Sequence, residues 1–128
     1  MIRKSIGNDE VVLIAVTKTQ SVPVIREAVA AGLSVVGENR VQEAVEKAAQ
    51  LTDLSLEWHL IGHLQTNKVK QAVALFSLIH SVDSERLACE IDRCARLAGK
   101  VQNVLIQVNV AGEESKSGIA PSKAEDLV

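Results

Sequence analysis

Short apolar runs alternate with amphipathic stretches along the chain. Residues 11–16 are apolar throughout and rich in β-branched side chains, the pattern of a parallel strand buried on both faces. Residues 21–31 follow as a helix, with Ser21 and Pro23 as start signals and Gly32 as the stop. Residues 33–36 read as a second apolar strand, ended by Gly37. Over 41–51, Val41, Ala44, Val45, Ala48 and Leu51 fall on one stripe, with Glu43, Glu46 and Lys47 elsewhere, which predicts an amphipathic helix. The unit then repeats. A strand over 56–61, a short helix over 66–73, a strand over 75–80, a helix over 84–98 closed by Gly99, and a strand over 104–110 precede a helix start at Pro121 and Ser122.

Strands that each lead into a helix imply a parallel sheet with right-handed crossovers. No linker or composition shift divides residues 1–128, so they read as one domain. Two architectures fit. One is an open, doubly wound five-stranded sheet, a natural size for this length. The other is a (β/α)8 TIM barrel carried only through its fifth strand, because complete barrels run to about 250 residues. Periodicity alone leans to the open sheet.

Composition narrows the function. Apolar residues are 47% and charged residues 23% of the chain, the balance of an ordinary globular protein. A formal net charge of -2 gives no electrostatic case for nucleic acid, and 2% aromatics leave no base-stacking platform. Cys89 and Cys94 are five apart, about 140° of rotation on a helix, and read as two reduced thiols. Residues 1–10 are polar and charged, unlike a signal peptide, and no apolar run approaches the roughly 20 residues of a membrane span. The expected location is the cytoplasm.

Polar residues gather where the strands end. Thr17, Lys18 and Thr19 follow the first strand; Glu38, Asn39 and Arg40 the second; His63, Gln65, Asn67 and Lys68 the third. His80, Ser81 and Asp83 follow the fourth, and Asn109 with residues 113–118 the fifth. An open sheet needs chemical groups mainly at its switch point. A barrel brings every strand end to one mouth, so five decorated ends favour the barrel. Lys18 is the sharpest residue. Held in a low-dielectric mouth, a lysine becomes a neutral, nucleophilic amine suited to imine formation; the plainer alternative is a lysine that has left the strand into solvent. Asn39 reads equally as a helix N-cap, and His80 as a satisfied rim histidine or a ligand contact. His59 and His63 do not form a zinc pair, since His59 falls within a strand.

Four segments together are specific: Ala15-Val-Thr-Lys-Thr19, Gly37-Glu-Asn-Arg-Val-Gln-Glu43, Trp58-His-Leu-Ile-Gly-His-Leu-Gln-Thr-Asn-Lys68 and Ser115-Lys-Ser-Gly118. In this order and spacing they resemble the pyridoxal 5′-phosphate (PLP) homeostasis protein family, whose fold is that of the alanine racemase N-terminal domain. The resemblance runs from about Val11 to Gly118. It implies a (β/α)8 barrel, here about five βα units, that holds PLP as a Schiff base on Lys18. It also implies cofactor contacts from Asn39 and a second lysine, Lys116, near the site; His80 and Ser81, at the fourth strand end, complete the expected set. Members are thought to store or deliver PLP, with PLP-dependent apo-enzymes as possible recipients, and have no established reaction. The alternative is a fold-type III PLP enzyme of the racemase kind. Alanine racemase takes its second acid/base from a tyrosine, and this chain has none.

The family pattern also begins with a helix ahead of the first strand and continues past the fifth. That later part is expected to carry the phosphate cup and the arginine facing the pyridine nitrogen. A complete barrel is expected to be a monomer. Five strands alone leave two open edges and an exposed core face, and so predict self-association or marginal stability.

Overall fold

The structure, a computed structural model, describes Gly7 and residues 10–114 and 116–128. Most of the polar lead over 1–10, and Ser115 of the fourth motif, lie outside the described residues. The elements run β1 (Ala15–Val16), α1 (Val22–Ala30), β2 (Val35–Glu38), α2 (Val41–Gln50), β3 (Glu57–Leu60), a 3-10 turn (Thr66–Lys68), α3 (Val69–Leu75), β4 (Leu78–Val82), α4 (Glu85–Leu97), β5 (Asn103–Ile106) and α5 (Pro121–Leu127).

All five strands are parallel and lie in the order β1-β2-β3-β4-β5. A doubly wound sheet reverses direction at a switch point, so this sequential order excludes the doubly wound alternative.

Helices cover one face. Ile25, Val36, Leu60, Val69, Phe76 and Ile79 are each completely buried in the resulting core, a position that contributes about 1.5–3 kcal/mol per large apolar side chain. Other apolar residues stay open. Val16 is 53% exposed and Leu105 49%, both in or beside the outermost strands.

Several boundaries differ from the sequence reading. β1 pairs only at Ala15 and Val16, because it is an edge whose one neighbour starts at Val35. β4 starts at Leu78 rather than 75: Leu75 ends α3, and the apolar run crosses a helix end into a strand start, where periodicity cannot separate them. β5 ends at Ile106 rather than 110. Beyond it, Val108 makes a lone bridge to Ile119. Asn39 is not the N-cap of α2. Arg40 takes that place, with no side-chain capping bond.

Candidate functional site

The strand register brings the sequence candidates to one rim. Val16 pairs with Gly37, Gly37 with His59, and His59 with Leu78. Lys18 and Asn39 follow β1 and β2 at their carboxyl ends, and His80 lies within β4 two residues before its end. Lys18 is exposed and has no hydrogen bond or ion pair among the described residues. It has left the low-dielectric core that a buried nucleophilic lysine would need.

Lys18 occupies a turn closed by the Gln20 N–H donating to the Thr17 carbonyl at 3.0 Å. Both its neighbours are pinned. The Thr17 N–H donates to the Gly37 carbonyl at 3.0 Å, and its hydroxyl to Oε1 of Glu38 at 2.6 Å. Thr19 has φ 62°, a left-handed conformation rare for a β-branched residue, and its N–H donates to Oε1 of Glu43 at 2.8 Å.

Beneath this turn lies a group that the sequence did not reveal. The Lys47 ammonium donates to the Thr17 carbonyl, Glu38 Oε1 and Glu43 Oε1, each at 2.7 Å. Glu38 is completely buried and Lys47 is 7% exposed, so Lys47 belongs to the packed side of α2 and not to its polar face. Burial alone would lower the Lys47 pKa. Its hydrogen bonds to Glu38 and then to Glu43 outweigh it, and the pKa is raised. Hydrogen bonds from Lys47 and the Thr19 N–H hold Glu43 below the usual carboxylate range. The available signal was a Glu43–Lys47 pair four apart, with Glu38 at the end of the preceding strand, which reads first as solvated charge.

His80 belongs to a second network. Its Nε2 lies 3.0 Å from Nδ1 of His59, whose Nε2 lies 2.8 Å from Glu57 Oε1, which also accepts from the Ser77 hydroxyl at 2.9 Å. Burial, and then the neighbouring His59, lower the His80 pKa and favour its neutral form. Hydrogen bonds from His59 and Ser77 hold Glu57 low.

Asn39 is half-buried against the next strand end, since a Cβ on Gly62 would meet its carbonyl oxygen at 2.3 Å. It shares a cavity of about 480 Å³ with Arg40, His63, Gln65 and Lys68. The remaining two candidates stand apart from Lys18. Ser81 is 1% exposed, with its hydroxyl unpaired. Lys116 is exposed and paired with Glu113 at 3.1 Å, beside a second cavity of about 420 Å³ that it lines with Gln107 and Asn109. Its loop is tied down: the Gly118 N–H donates to Asp83 at 3.3 Å, and the Asn109 side-chain amide to the Glu113 carbonyl at 2.7 Å.

The family model of the alanine racemase N-terminal domain matches residues 1–128. Over 115 residues the chain is 51% identical to a pyridoxal phosphate homeostasis protein of Aquifex aeolicus (strain VF5), covering 90% of this chain and 50% of that one. It is 44% identical to PipY of Synechococcus elongatus PCC7942, solved with PLP bound, with a TM-score of 0.87 over 97% of this chain and 59% of that one. An alanine racemase of Clostridium difficile 630 is 16% identical and shares the fold, with a TM-score of 0.75 over 97% of this chain and 34% of that one. The chain spans about half the length of the curated relatives it matches.

Proposed function

The chain belongs to the alanine racemase N-terminal domain family, and on that premise we propose that it is the first five βα units of a closed (β/α)8 barrel that binds PLP on Lys18 and serves PLP homeostasis. The observation that carries this reading is an exposed lysine just beyond the carboxyl end of β1, without a partner among the described residues and borne on a pinned turn, in a chain 44% identical to the PLP-bound PipY. The donor set fits the cofactor: an exposed amine, a half-buried asparagine and a histidine favoured in its neutral form lie at the carboxyl ends of β1, β2 and β4.

Lys18 would hold the group. PLP supplies an aldehyde, which condenses with a neutral amine to a Schiff base with loss of water. Asn39 and His80 would flank it, Ser81 would back His80 with its unpaired hydroxyl, and Lys116 would offer a positive charge from the loop after β5. A phosphate is anchored best by preorganised backbone N–H groups, and residues 119–128 hold no glycine-rich segment that could form such a cup.

A carrier is favoured over a racemase because the relatives are named homeostasis proteins. PLP-dependent apo-enzymes in the cytoplasm are the fitting recipients. The test is an absorbance titration with PLP. A new band removed by borohydride supports the reading, and a spectrum of free PLP alone at saturating concentration sinks it.

A further inference from the structure

We propose that Glu38, Lys47 and Glu43 form a clamp that orients the turn bearing Lys18, which makes Lys47 and Glu43 positioning residues for attack by the Lys18 amine. The proposal rests on the reading of Lys18 as the cofactor lysine.

A buried ammonium is expensive unless its donors are all met. Here all three are, by acceptors from three places: the carbonyl at the end of β1, a carboxylate at the end of β2 and a carboxylate one turn back on α2. Core packing does not require this arrangement, since apolar side chains of similar volume commonly replace a buried ion pair with no loss of stability. What the charges specify is backbone. Lys47 fixes the Thr17 carbonyl, Glu38 fixes the Thr17 hydroxyl, and Glu43 fixes the Thr19 N–H. The residues on both sides of Lys18 are therefore tied to the helix-covered side of the sheet, and Lys18 between them remains exposed.

The strain agrees. Thr19 has a left-handed φ of 62° and its N–H donates to Glu43, and residues in such conformations persist where their surroundings impose them. Alignment is what an amine needs in order to reach a carbonyl carbon, and small misplacements slow such reactions strongly.

The test compares the native chain with Glu43→Ala and with Glu38→Leu/Lys47→Leu. Glu43→Ala leaves the Glu38–Lys47 pair intact, so it decides the matter if the double variant fails to fold. The first readout needs no cofactor. Amide hydrogen exchange at Thr19 should speed up about tenfold in Glu43→Ala, which removes the acceptor of its N–H. The second is the distribution of borohydride-fixed PLP over the lysines. The share on Lys18 should fall roughly tenfold while circular dichroism stays native. An unchanged share on Lys18 in a folded variant overturns the clamp. If the native chain itself shows no preference for Lys18, the cofactor reading fails, and exchange at Thr19 then decides the clamp: unchanged protection overturns it, and lost protection sustains it.

Discussion

The ammonium of Lys47 lies 2.7 Å from Oε1 of Glu38, and neither residue is appreciably exposed. Removing only one member of such a pair strands a buried charge. Lys47→Met should cost roughly 3–5 kcal/mol in chemical denaturation, whereas Glu38→Leu/Lys47→Leu should fall near the native value. A single variant as stable as the native chain would mean that Glu38 is not held by Lys47 in solution.

Thr19 carries the opposite expectation. Its φ of 62° is one that glycine adopts freely. Thr19→Gly should therefore leave stability unchanged or raise it by about 1 kcal/mol, although it removes a side chain. A clear drop in melting temperature would mean that the turn is not strained.

Gly62 lies where β2 and β3 come closest beyond their ends. A Cβ there would stand 2.3 Å from the Asn39 carbonyl oxygen and 2.7 Å from its Cα, and both are backbone atoms that cannot swing away. Gly62→Ala should destabilise the chain by roughly 2–4 kcal/mol and displace Asn39 from the rim. Denaturant unfolding measures the cost.

His80 sets a pH dependence. Its pKa is lowered in the folded chain by burial and by His59, so the unfolded chain takes up a proton first as pH falls. Stability should therefore drop from the ordinary histidine pKa of about 6.5 downwards, until the folded group is also protonated. Glu57 and Glu43, both lowered in the folded chain, add their own loss at more acidic pH, as each falls through its folded pKa. Melting temperatures at pH 7.5 and pH 5.5 should differ less in His80→Gln than in the native chain. Equal differences would remove His80 as the cause.

The parallel architecture was legible because short apolar runs alternate with amphipathic stripes along the chain, a pattern that survives shifts of a residue or two at the element ends. Lys18 was legible because a cation two positions beyond a run of six apolar residues is conspicuous. The Glu38–Lys47 pair was not. Two charges nine positions apart meet only once α2 has folded back over β2, and until then Lys47 looks like one more solvated residue of a polar face. The N-cap misreading of Asn39 has a similar origin: intrinsic preference pointed to its side chain, but the close approach of Gly62 fixes its backbone.

Borohydride reduction in the presence of PLP, followed by peptide mapping of the native chain and of Lys18→Ala, bears most directly on cofactor binding at Lys18. The expected result is a fixed cofactor on a peptide containing Lys18, and loss of that adduct in Lys18→Ala with circular dichroism unchanged. Label on a different lysine, with Lys18→Ala forming the same adduct, would contradict it.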